Sequence, residues 1–154
     1  MINSQEFFTH ALHDSEAVTA LLAYTEDAEG NHLPNIFEYP CEEELGDNPG
    51  KPYIVVQNTG TTKAEGCKDF GFDEENDITA IEVTVVTSSK EDAKAVAQTT
   101  RDAIREAMND FSDSDADFFG FCLEDSTYSD RGVQFDVESG NYFVTLTYRI
   151  ETTK

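Results

Sequence analysis

The stretch ITAIEVTVVTSSKEDAKAVAQTTRDAIREAMNDF, residues 78–111, decides the fold. In its first ten residues Ile81, Val83 and Val85 point one way and Glu82 and Thr84 the other, which is the two-residue period of a half-buried strand. After Ser88-Ser89 the period changes. Ala93, Val96, Ala97, Thr100, Ile104, Ala107, Met108 and Phe111 recur at spacings of three and four, leaving Lys90, Glu91, Lys94, Arg101, Asp102 and Arg105 for water. That is an amphipathic helix, and either Ser88 with Glu91 or Ser89 with Asp92 has the spacing of a capping box at its start. From Ser89 to Asp110 it spans roughly 33 Å at 1.5 Å per residue, enough to cross a small sheet. A strand feeding directly into such a helix predicts an α+β protein. The expected architecture is a single domain over 1–154, with a mainly antiparallel mixed sheet and two or more helices packed on one face.

Working outward, Ser4 reads as the cap of a first helix that ends near His13 and buries Phe7, Phe8, Ala11 and Leu12. Glu16 to Tyr24, with Val18, Leu21 and Leu22, is either its continuation or a separate turn. Glu29 to Leu33 is a polar turn around Gly30, and Ile36 to Tyr39 is a short strand stopped by Pro40. Pro52 to Gln57 is a β-branched strand opened by a proline. The stretch 58–77 reads as a long, flexible, acidic loop containing Gly60, Gly66 and Gly71, longer than a hairpin connection needs. Beyond the long helix, Ser112 to Asp117 is an acidic loop, Phe118 to Leu123 a strand, Glu124 to Gly132 a polar link and Gln134 to Val137 an edge piece. In the final strand Tyr142, Val144, Leu146, Tyr148 and Ile150 share one face, with Thr145, Thr147 and Arg149 on the other.

Composition narrows the function classes. Thirty-two Asp and Glu stand against ten Lys and Arg, a net charge of −22, which repels phosphate backbones and opposes binding by counterion release. Such charge serves solubility, a surface past which nucleic acid slides without sticking, or an acidic decoy of DNA. Eleven Phe and six Tyr supply enough apolar area for a core. No apolar run approaches the ~18 residues of a membrane span, and the N-terminus lacks the pattern of a signal peptide, so a cytoplasmic protein away from membranes is expected. Cys41, Cys67 and Cys122 have neither disulfide nor zinc-site spacing and are expected to be reduced thiols.

Asp113, Asp115, Asp117 and Glu124 occupy positions 1, 3, 5 and 12 of a calcium loop of EF-hand type. Phe118 stands where that loop needs glycine and Gly120 replaces its usual apolar residue, so a solvated acidic loop without metal is the expectation. His10 and His13, with His32 as a remote third ligand, lack any supporting motif and read as passive surface residues. No nucleophile elbow, dinucleotide fingerprint, phosphate loop or Cys/His pairing occurs, which predicts no catalytic residues, no cofactor and no enzymatic role. Phe70 and Phe72, flanked by Asp69, Asp73, Glu74 and Glu75, are the best sequence candidates for a partner-docking loop.

The order of segments IFEYP (36–40), PYIVVQ (52–57), AIEVTVVTSS (80–89), KEDAKAVAQTTRDAIREAM (90–108) and YFVTLTYRIET (142–152), behind an N-terminal helix, resembles the tail terminator family of long-tailed bacteriophages. The resemblance covers almost the whole chain. It implies helices against one face of a largely antiparallel sheet, and a homo-oligomeric, hexameric ring. That ring would end tail-tube polymerisation and meet the tail tube protein on one side and the head–tail connector protein on the other. It also implies assembly in the cytoplasm of a bacterial host, then residence in the virion tail, and it brings no active residues. The acidic stretch 60–77 and the overall charge depart from the family pattern. Two alternatives stand beside it: another neck or head–tail joining protein, and a DNA-mimic inhibitor of a nucleic-acid enzyme. Against the mimic, the acids spread over 41–47, 69–77, 110–117 and 124–138 rather than along one face.

Overall fold

A computed structural model describes residues 3–39, 49–63 and 76–153. Along the chain run α1 (Asn3–His13), α2 (Glu16–Thr19), β1 (Tyr24–Glu26), β2 (His32–Pro34), β3 (Ile36–Glu38), β4 (Tyr53–Lys63) and β5 (Asp77–Thr87). They are followed by α3 (Lys90–Asn109), α4 (Asp113–Phe119), β6 (Cys122–Asp130), β7 (Gln134–Asp136) and β8 (Asn141–Thr153). A mixed sheet has the order β3-β4-β5-β8-β6, with β7 also paired to β8, and β3–β4 is its parallel pair. β1 and β2 form a separate small hairpin.

The alternation read in β5 is the alternation of burial. Ile81, Val83 and Val85 are completely buried, and so are Thr79 and Thr87 on the same side. Their neighbours across the ladders are Ile54 and Val56 of β4 and Val144, Leu146 and Tyr148 of β8, all buried, so one face of three strands is continuous core. α3 lays Ala93, Val96, Ala97, Thr100 and Ile104 over it, and α1 adds Phe8 and Leu12. The rings of Phe8 and Tyr148 lie 5.2 Å apart. At the far end Phe7 meets Phe111 at 5.4 Å and Phe119 at 5.3 Å, both edge-on, which closes the helical layer with favoured aromatic geometry. The α+β class and the helices on one face are as the sequence predicts.

Of the two possible caps on α3 the structure uses Ser89, whose hydroxyl accepts from the Asp92 amide at 3.1 Å. Thr87 donates its hydroxyl to the Ser89 carbonyl at 2.7 Å, tying the end of the strand to the start of the helix. Ser4 is no cap: it lies inside α1 and is fully buried.

Three other segments differ from expectation. The stretch 113–119 is helical and the following strand runs from Cys122 to Asp130, so the expected loop, strand 118–123 and polar link are replaced. Ser112 and Asp115 form a reciprocal capping box, and Gly120, at φ 80°, ends the helix in the left-handed region. β4 does not stop at Gln57. A bulge between Asn58 and Gly60 lets pairing continue to Lys63 opposite Asp77, so 58–63 are strand rather than loop. Gly60 has φ 155° and its amide donates to the Asn58 side chain at 2.9 Å. Finally, the polar turn read at 29–33 is the tip and return of the β1–β2 hairpin.

Gln5 adds a detail at the β3 flank. Where β3 ends, its side-chain nitrogen donates to the Tyr39 carbonyl at 3.1 Å and its oxygen accepts from the Asn58 amide at 2.9 Å, so one side chain continues the ladder as a peptide group would.

Replacing Ile81 by Ala should lower stability by about 2–5 kcal/mol, because it opens a cavity that neither sheet nor helix can close. Thr84→Ala, on the opposite face, should cost less than about 1 kcal/mol. Urea midpoints with unchanged m-values check both.

Candidate functional site

Two surfaces remain once the core is accounted for. The first is the sheet face that none of the described helices covers. Its rows join Phe37, Val55, Thr84 and Thr145, then Tyr53, Val86 and Phe143, then Gln57, Glu82, Thr147 and Ser129. Thr84 and Thr145 bring their hydroxyls to 3.3 Å, and Phe37 stands edge-on to Tyr53 at 6.0 Å. On β4, β5 and β8 the charged residues of this face are Glu82, Arg149 and Glu151, a net −1 on a chain of net charge −22. Asp125 of β6 and Asp136 of β7 add negative charge at the margin of the same face, whose centre is hydroxyl-rich and β-branched.

The second surface is a groove between α3 and the β6–β7 connection, floored by Val133, Val144 and Leu146. Its wall is an electrostatic cluster. The Arg101 guanidinium sits 4.3 Å from the centre of the Tyr128 ring, Tyr128 donates its hydroxyl to Asp130 at 2.6 Å, and the Gly132 amide donates to the same carboxylate at 2.8 Å. Burial, then Asp130, pushes the Tyr128 hydroxyl above the usual phenol range. The hydrogen bonds from Tyr128 and Gly132 hold Asp130 below the usual carboxylate range. Tyr148, whose ring lies 5.1 Å from that of Tyr128, is also pushed up by burial and by Tyr128. A phenol that keeps its proton, bonded to a carboxylate that has lost its own, is a rigid structural pair rather than an acid–base couple near neutrality.

The residues singled out in the sequence are dispersed. Asp113, Asp115 and Asp117 lie on α4, where alternate residues are about 200° apart, so they do not converge as the positions of a calcium loop must. Asp115 is engaged in the capping box, and Glu124, on β6, accepts from the Thr153 hydroxyl at 3.0 Å. Among the described residues no three His, Cys, Asp or Glu side chains are grouped to hold a metal. His10 and His13 do share a cleft with Glu6, Asp14 and Glu38, with His10 3.6 Å from Glu6. Burial, then His10, pushes His13 below the usual histidine value. His32 is not with them: it stacks on Tyr24 at 3.9 Å. Cys122 is an exposed free thiol. Cys41, Cys67, Phe70 and Phe72 lie outside the described residues. No described helix is long and apolar enough to cross a membrane.

No protein-family model matches the chain, and no curated protein matches it in sequence. In fold it is similar to a chain of the virion of a native gene transfer agent particle. The TM-score is 0.59 at 12% identity, and the match covers 97% of this chain and 94% of that one. At that identity the likeness is one of fold, and it runs nearly the full length of both chains.

The groove cluster was missed in the sequence because Ser126-Thr-Tyr-Ser-Asp130 has no apolar period. The one available signal was Tyr128 with Asp130 two residues on, which places both on one side of a strand.

Tyr128→Phe should flatten the stability–pH curve at both ends. Asp130, held low in the fold, contributes stability present above the unfolded carboxylate value near 3.8 and lost as pH falls through the folded one. Tyr128, held high, contributes stability present below the ordinary value near 10 and lost as pH rises beyond it. Urea midpoints from acid to alkaline pH, wild type against variant, check the sign of each limb.

Proposed function

We propose that this chain is a structural virion protein of tail terminator type. It would assemble as a closed, hexameric ring on the end of the tail tube, stop tube growth and present a surface to the head–tail connector. The observation that carries the reading is the full-length fold likeness to a chain of a gene transfer agent virion. It joins the resemblance of the segment order to tail terminators.

The physical features support a ring role without chemistry. A heterologous interface closes only if two different patches lie on opposite flanks of the subunit, and this sheet has two unlike flanks: β3 with Gln5 on one side, β6 on the other. The uncovered face is suited to a lumen through which DNA moves. It offers hydroxyls and a single cation, Arg149, on its central strands, so it neither grips phosphates nor meets them with dense negative charge. Carboxylates on the helices and loops repel other copies at long range. Salt screens that repulsion over about 10 Å at 0.1 M while leaving close contacts less affected.

Light scattering of the full chain from low to high ionic strength, with negative-stain imaging and purified tail tube protein, checks the proposal. Rings of about six subunits, favoured by salt and seated on tube ends, are expected. A strict monomer that leaves tube length unchanged overturns it, and displacement of DNA from a nuclease by that monomer would put the DNA-mimic alternative in its place.

A further inference from the structure

We propose that the β1–β2 hairpin of one copy docks into the α3 groove of the next, as an acidic tongue on a basic-rimmed slot. This deepens the ring reading and rests on it, because it names the two patches that meet.

The slot is where this acidic chain keeps its cations. Lys90, Lys94, Arg101 and Arg105 fall within an arc of about 60° on α3 at 100° per residue, Lys94 and Arg101 of them lining the groove, and Arg131 sits in the turn beyond Asp130. These five are half of the ten basic residues in the sequence. With carboxylates in threefold excess every cation could have a partner, yet Lys90 and Lys94 make no ion pair among the described residues. The carboxylates nearby are Glu91, Asp102 and Asp130. Asp102 is bonded by Arg105 and Gln98, both at 3.1 Å, and Asp130 by Tyr128 and Gly132. The arc of four cations on α3 is therefore laid beside an apolar floor, with Asp102 and Asp130 already bonded.

The hairpin has the complementary chemistry. It pairs Tyr24 with Pro34, Thr25 with Leu33 and Glu26 with His32, and its tip is pinned by Asp27, whose carboxylate accepts the Glu29 and Asn31 amides at 2.9 Å each. Glu26, Asp27 and Glu29 make it acidic, with Glu26 3.3 Å from His32, and Tyr24, stacked on His32, and Leu33 put one half-exposed apolar side chain on each of its faces. A preformed turn with fixed carboxylates and an aromatic ring loses little entropy on docking.

Placement completes the argument. The hairpin hangs from the β4 flank, where the Ala23 amide donates to the Pro52 carbonyl at 2.9 Å and the Asn35 amide to the Ala23 carbonyl at 2.8 Å. The groove lies at the β8–β6 flank. Tongue and slot are thus on opposite sides of one sheet, so a copy can use both at once, which a ring requires.

Carbodiimide coupling of equal amounts of isotopically light and heavy full-length protein, read by mass spectrometry, tests the contact in the native chain. Light–heavy links joining Lys90 or Lys94 to Glu26 or Glu29 are expected. In parallel, Lys90→Glu with Lys94→Glu, or Glu26→Lys with Glu29→Lys, should weaken association about tenfold or more, and all four changes in one chain should recover it. Links from Lys90 and Lys94 only to other acids, or a four-fold variant no better than either pair, overturn the docking. Rings that form without these links sink the docking and leave the ring reading standing. Links in open chains without rings do the reverse.

Discussion

The antiparallel pairing of β5 with β8 is the constraint on which the rest depends. From Asp77 opposite Thr152 to Thr87 opposite Tyr142 the two strands stay in register, and their two alternations coincide. A slip of one residue would turn Val144, Leu146 and Tyr148 to the uncovered side and strand Ile81, Val83 and Val85 against hydroxyls. The Thr84–Thr145 hydroxyl contact marks the correct register on the outer face. β4 adds Ile54 and Val56 to the same side, and α3 can cover that side only because Thr87 and Ser89 fix the turn out of β5.

What was legible in the sequence follows from that constraint. β5, β8 and α3 each carry a full apolar period, so their buried apolar residues could be named one by one, while the buried Thr79, Thr87 and Thr152 could not. β6 could not be found this way. Only Leu123 and Tyr128 are half buried along it, because an edge strand needs few apolar residues and gains from charges that discourage further pairing. The second half of β4 was hidden for another reason: Gly60 looks like a stop, and the bulge it permits shows only when the partner strand is present. In α4 the acidic run suggests a loop. The capping box and Gly120 show that the same residues at helix-start positions are stabilising.

The surfaces were less legible than the core, for a physical reason. A core residue announces itself by period, whereas a docking surface is defined by what is brought together. The cations of α3 have helical spacing but look like any solvated face until Tyr128, Asp130 and Val133 arrive from a different part of the chain. Net charge alone points to a uniformly acidic shell. The fold instead segregates it, leaving a nearly neutral centre to the open sheet face and a cationic helix edge.

The distance along the chain between β5 and β8 also governs how the protein is made. At ribosomal speeds of about 5–20 residues per second, the residues between Thr87 and Tyr142 take roughly three to eleven seconds to appear. For that time the β4–β5 hairpin waits with one ladder edge empty and its apolar face complete. α3 is the very next element synthesised, and it carries the apolar side that fits that face. Its place in chain order means that the helix which covers that apolar face is translated before the strand that finishes the sheet.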